Sequence, residues 1–124
     1  MGTHAAIAKK LEDATYKWIY VHYDGGLDHV GKLLHNFYNS PELVDALLEL
    51  GDLSYLGDKR ENTFSYYYDR GEKEKSVLAK RCFHVFPELT RFSYQYIFDN
   101  GKWFYASYRR DPIELSEVIV SKSE

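Results

Sequence analysis

The chain has one cysteine, three prolines and one methionine in 124 residues. A lone thiol, Cys82, cannot close an internal disulfide and excludes a zinc site built on several cysteines, so a reducing compartment is expected. No apolar run approaches the roughly 18 residues of a membrane-spanning helix, and the first residues lack the basic-then-apolar order of a signal peptide. Met1-Gly2 suggests myristoylation, but Ala6 stands where Ser or Thr is required. The expected location is the cytoplasm, with no membrane contact. Positive charge is also scarce: the net charge is −3, with −4 carried by residues 1–57 and +1 by residues 58–124. Nucleic-acid binding needs a basic footprint, so it is disfavoured, and the acidic excess is too mild for a mimic of DNA. Repeats, low-complexity tracts and long linkers are absent as well. One domain over residues 1–124 follows, large enough to bury a core without staples.

What the chain does have is aromatic residues, 17% of the total, with twelve tyrosines. Tyrosine suits half-buried sheet faces and also binding surfaces, because its ring is large, stiff and amphipathic. The periodicity predicts strands at 3–9 and 16–24. In the second, Trp18, Tyr20, His22 and Asp24 project from one face and Ile19, Val21 and Tyr23 from the other. Leu27, Val30, Leu34, Phe37 and Tyr38 give a helical stripe, with Gly31 marking a close approach to a neighbouring backbone. Ser40-Pro41 starts a second helix with Leu43, Val44, Leu47 and Leu48 inward, ended by Gly51. The two helices are expected to pack as an antiparallel pair. A loop over 51–62, a strand over 63–69 and a Lys-rich helix over 72–83 come next. Strands at 90–98 and 102–108 are joined by Asp99-Asn100-Gly101, whose Asn-Gly step accepts the positive φ of a tight turn. Asp111-Pro112-Ile113-Glu114 reads as the start of a terminal helix. The predicted fold class is α+β: a mostly antiparallel sheet of about five strands with the helices on one face.

Several motifs occur in a fixed order along nearly the whole chain. They are His22-Tyr23-Asp24-Gly25, Gly31-Lys32-Leu33-Leu34, Leu50-Gly51-Asp52-Leu53-Ser54-Tyr55-Leu56-Gly57, Tyr68-Asp69-Arg70-Gly71-Glu72 and Gly101-Lys102-Trp103. In this the chain resembles a family of small bacteriophage- and prophage-encoded proteins. Two departures are Tyr23, where that family has Trp, and Gly25-Gly26-Leu27 in place of Gly-Tyr-Pro. The resemblance implies a phage setting and carries no activity, cofactor or site residue with it.

Three groups of side chains are candidates for function. His22 and Asp24, with His29 nearby, have the residue types of a facial metal triad, but H-x-D is common by chance, and the expectation is no metal and no cofactor. His22, Asp24, Asp52, Arg70 and Glu72 form a candidate polar cluster, in which His22 would act as acid or base and Arg70 would hold an anion. An internal salt-bridge network is the blander account of the same residues, and it is favoured. Ser54 lacks the strand-turn-helix elbow of a nucleophile, and Cys82 reads as a small core residue. The third group is aromatic. Tyr66, Tyr68, Tyr94, Tyr96, Trp103 and Tyr105 would be anchors on whichever sheet face the helices leave open. The leading expectation is therefore a non-enzymatic accessory protein that binds a host protein, such as a component of a defence system, or that pairs with its own copy. The rival is a small-molecule or catalytic site around His22, Asp24, Arg70 and Glu72.

Overall fold

The computed structural model describes residues 4–11, 15–65, 80–82, 94–107 and 112–122. Its strands are β1 (Ala5–Lys10), β2 (Tyr16–Val21), β3 (Leu53–Tyr55), β4 (Phe64–Ser65), β5 (Lys80–Cys82), β6 (Tyr94–Asp99), β7 (Lys102–Ala106) and β8 (Ile113–Glu114). A π-helical turn at Leu27–Gly31 runs into α1 (Lys32–Phe37), followed by α2 (Pro41–Glu49), a 3-10 turn at Arg60–Asn62 and the terminal helix α3 (Leu115–Lys122).

The strands join in one sheet in the order β4-β3-β2-β1-β6-β7-β8, with β5 also paired to β2. The class is α+β, but the sheet is mixed rather than mostly antiparallel. β1 runs antiparallel to β2 and parallel to β6, and β2 runs parallel to β3. The physical reason is that each tight hairpin, β1–β2 and β6–β7, fixes only its own pair. The seam between the hairpins joins β1 and β6, strands far apart in sequence, whose relative direction no local turn determines. Six of the described strands are at least three residues long, and β4 and β8 have two each.

Three further expectations need correction. Part of the expected 51–62 loop is β3, which β2 recruits along its edge through Val21 opposite Leu53. Lys80–Cys82, expected to be helical, is a strand paired with Tyr16–Trp18. Ile113–Glu114 adds to β7 before the terminal helix begins at Leu115. Residues 66–69 of the expected third strand and 72–79 of the expected helix lie outside the described residues. The Asn100-Gly101 turn is as expected, with both φ values positive.

The helices lie over one face of the sheet. Ile7, Ile19, Val21, Tyr96, Phe98 and Trp103 meet Val30, Leu34, Val44, Leu47, Leu48, Leu115 and Ile119 in the main core. α2 starts as its sequence requires: Ser40 Oγ accepts a hydrogen bond from the Leu43 N–H at 3.2 Å, Pro41 takes the first helical position, and Gly51 follows the end with φ 78°. Its buried stripe narrows to Val44, Leu47 and Leu48. Leu43, beside that stripe in the first turn, is 47% exposed, contrary to expectation. Phe37 is likewise exposed. The helix ends there, and Tyr38 turns inward instead, its hydroxyl donating to the Gly57 carbonyl at 2.9 Å. Gly31 is crowded by the Leu27 and Tyr96 side chains rather than by backbone. The expected α1–α2 pairing gives way to a different arrangement. α2 sits on β1 and β2, and α1 packs against α3.

Candidate functional site

All four described members of the expected aromatic anchor set lie on the helix-covered face. Tyr96 and Trp103 are core residues, and Tyr94 and Tyr105 pack partly buried against them. The polar atoms of Tyr96 and Trp103 are used internally. Tyr96 Oη donates to the Gly25 carbonyl at 2.8 Å, and Trp103 Nε1 donates to the Tyr38 carbonyl at 2.8 Å. Burial pushes the Tyr96 phenol far above its ordinary range. The opposite face is not an open aromatic sheet either, because Ala6, Ala8, Trp18 and Ile97 are buried there as a second cluster. The four rings share a face by strand alternation, but it is the face the helices cover, so they form core rather than the open anchor surface expected. Tyr66 and Tyr68 lie outside the described residues.

The polar cluster also divides. Arg70 and Glu72 lie outside the described residues. Asp52 is buried, and its Oδ1 accepts the Tyr20 backbone N–H at 3.0 Å, tying β3 to β2 where their parallel pairing begins. Asp24 is exposed in a left-handed conformation, φ 55°, past the end of β2, so strand alternation no longer aims it beside His22. His29 turns away to the second loop, its Nε2–H donating to the Leu56 carbonyl at 2.7 Å. Among the described residues, no three His, Cys, Asp or Glu side chains gather as a metal set. Ser54 is buried within β3, away from any elbow.

Instead, His22 joins a group that includes a residue the sequence reading did not single out, His4. His4 Nδ1–H donates to the His22 carbonyl at 2.7 Å and lies 3.2 Å from Tyr20 Oη. Tyr20 Oη is 2.7 Å from His22 Nδ1. The two imidazoles stack with centres 4.8 Å apart, and the Tyr23 ring meets His22 edge-on at 4.5 Å. The signal for His4 lies in the hairpin register. Ala5 pairs with Val21 and Ala6 with Tyr20, so one further step sets His4 opposite His22 on the face that carries Tyr20. Beyond Val21 the chain bends at Tyr23 but stays tied to β3, with the His22 and Tyr23 N–H groups donating to the Leu53 and Ser54 carbonyls at 3.0 and 2.9 Å.

Burial, and secondarily the His4 imidazole, lowers the His22 pKa below the usual histidine value. In its Nε2–H tautomer the neutral His22 accepts the Tyr20 hydroxyl proton at Nδ1. The result is a fixed imidazole–phenol–imidazole array at one end of the central hairpin, rimmed by Tyr23, which is 49% exposed. No helix among the described residues is long and apolar enough to cross a membrane. Comparison with protein-family models, with curated proteins and with solved structures gives no match to this chain.

Proposed function

We propose that this chain is a phage-type accessory protein that works in the host cytoplasm by binding a host protein. Its contact patch is the ring group His4, Tyr20, His22 and Tyr23. The observation that carries this reading is the location of accessible aromatic surface. The sheet tyrosines 94 and 96 and Trp103 serve the core, whereas Tyr23 and His4 stand at the surface on rings already fixed by hydrogen bonds and stacking. Fixed aromatic anchors give contact area at small entropic cost, as recognition surfaces require. The phage setting rests on the ordered motifs from His22-Tyr23-Asp24-Gly25 to Gly101-Lys102-Trp103.

The test is capture of a partner from host lysate by the full chain, compared with Tyr23→Ala and with the double substitution Tyr23→Ala/His4→Ala. Loss of one specific partner with both variants, at unchanged melting temperature, supports the reading. Capture unaffected by either variant refutes the patch. Self-association abolished by the same changes would make the partner a second copy.

A second reading is supported by the Tyr20–His22 pair, a neutral imidazole hydrogen-bonded to a phenol. That pair has the groups that acid–base chemistry needs. In that case His22→Gln destroys activity in a folded protein while Tyr23→Ala does not.

A further inference from the structure

His4 Nδ1, Tyr20 Oη and His22 Nδ1 converge, with consecutive separations of 3.2 and 2.7 Å. Adjacent donors on one transition-metal ion, at bond lengths of about 2.0–2.1 Å and angles of roughly 90–109°, are about 2.8–3.4 Å apart. The three donors therefore lie within hydrogen-bond reach in succession, and small turns of the two rings, with His4 Nδ1 leaving the His22 carbonyl, would set them around one ion.

We infer that His4, Tyr20 and His22 form a binding site for a copper(II)-class ion, held by the two Nδ1 atoms and the Tyr20 phenolate. The donor chemistry selects the metal. Two imidazoles and a phenolate are an N,O set that suits tetragonal Cu(II), and Cu(II) also stands highest in the divalent affinity order. A set of this kind lies outside the His/Cys/Asp/Glu groupings, and it differs from the His22/Asp24/His29 triad suggested by the sequence. His4 is exposed and the other two are half-buried, so the ion has a route in from solvent.

Binding has a defined proton balance. The Tyr20 phenol gives up its proton to solvent, and the His4 proton moves from Nδ1 to Nε2 as that nitrogen leaves the His22 carbonyl for the ion. The metal thus replaces the hydrogen bonds within the array, and one proton is released per ion. The ion's own charge makes loss of the phenolic proton favourable near neutral pH. The ordered hairpin brings the donors together before the metal arrives, so little chain ordering opposes binding.

The test is titration of the full chain with copper(II) sulfate, read by calorimetry, electron paramagnetic resonance and visible absorption. The expected result is one tight equivalent, nitrogen hyperfine structure from two imidazoles, a phenolate-to-copper charge-transfer band and release of one proton. Tyr20→Phe should abolish the band, and both Tyr20→Phe and His22→Ala should weaken binding by about tenfold or more. His35→Ala, an imidazole on α1, should change nothing. Copper binding that needs His4 but survives both Tyr20→Phe and His22→Ala overturns the assignment. So does a wild-type complex without the charge-transfer band, or the absence of a tight equivalent.

Discussion

At the scale of single residues, the most informative group is His22. Its folded pKa lies below the ordinary histidine value, chiefly from burial and then from His4. The unfolded chain therefore binds a proton on this residue more readily than the native state does. Stability from His22 is present above about pH 6.5 and is lost as pH falls from there through the folded pKa. Imidazole NMR of the metal-free protein should show His22 titrating below the model-peptide value of 6.5. His4→Ala should move its midpoint upward by removing the like-charged neighbour, while leaving the larger effect of burial. A His22 midpoint at or above the model-peptide value would show that the array does not hold it neutral.

Gly57 leaves no space for a side chain. A Cβ there would lie 2.3 Å from the Asn62 carbonyl oxygen, which is backbone and cannot swing aside. The Gly57 N–H also donates to Thr63 Oγ1 at 3.0 Å, and its carbonyl accepts from Tyr38. Gly57→Ala should therefore cost about 1–3 kcal/mol, as overpacked sites do. Chemical denaturation would reveal an unstrained loop if the midpoint did not move.

At the scale of elements, legibility followed how local the determinant was. α2 was readable because Ser40, Pro41 and Gly51 mark its limits and Val44, Leu47 and Leu48 its inner stripe. The Asn100-Gly101 hairpin was readable because its turn chemistry is carried by two adjacent residues. β3 was not, since Leu53-Ser54-Tyr55 is too short to show a period and exists because β2 offers an edge. Lys80-Arg81-Cys82 has no strand-like composition, and its conformation comes from pairing with Tyr16–Trp18. The candidate site divided the same way. His22 was visible in its motif, whereas its union with His4 depends on the hairpin register, and the distance of Asp24 and His29 depends on backbone turns with no marker.

The placement of α2 also has a charge component that periodicity did not show. Lys9 and Lys17 are cross-strand partners on the helix-facing side, and α2 answers them with Asp45 at 2.6 Å and Glu49 at 3.5 Å, one turn apart. These partly exposed pairs are worth little individually, about 0–1 kcal/mol, so burial decides α2's stability and the charges set its direction across the hairpin. Leu48→Ala should cost about 2–5 kcal/mol because its side chain is fully buried. Leu43→Ala, at the exposed position, should change stability by about 0.5 kcal/mol or less. Equal melting temperatures for the two variants would mean that α2 does not present its 44/47/48 face to the sheet.

At the scale of the whole molecule, the fold turns on β1. It is central, with β2 paired along its full length on one side and β6 from Ala5 to Lys9 on the other. Its residues Ala5, Ala6, Ile7 and Ala8 are buried on both faces of the sheet, between the helix-side core and the Trp18–Ile97 cluster. Small side chains at Ala6 and Ala8 leave room for the Trp18 ring beside them. The only link between the N-terminal hairpin with its helices and the C-terminal β6–β7–β8 unit through the sheet, among the described residues, is the parallel β1–β6 seam. Amides inside such a seam open only when the two halves part, so they should exchange with solvent at the rate of global unfolding. The β1 amides from Ala5 to Ala8 and the β6 amides facing them should therefore be the most protected in native-state hydrogen exchange. Those of β8, a two-residue edge, should exchange through local fraying orders of magnitude faster. Ala8→Leu, which would press on Trp18, should lower stability and shift the exchange of both halves together, because they share one seam. If β1 exchanged as fast as β8, or if Ala8→Leu loosened only the N-terminal half, the parallel seam would not be what unites the molecule.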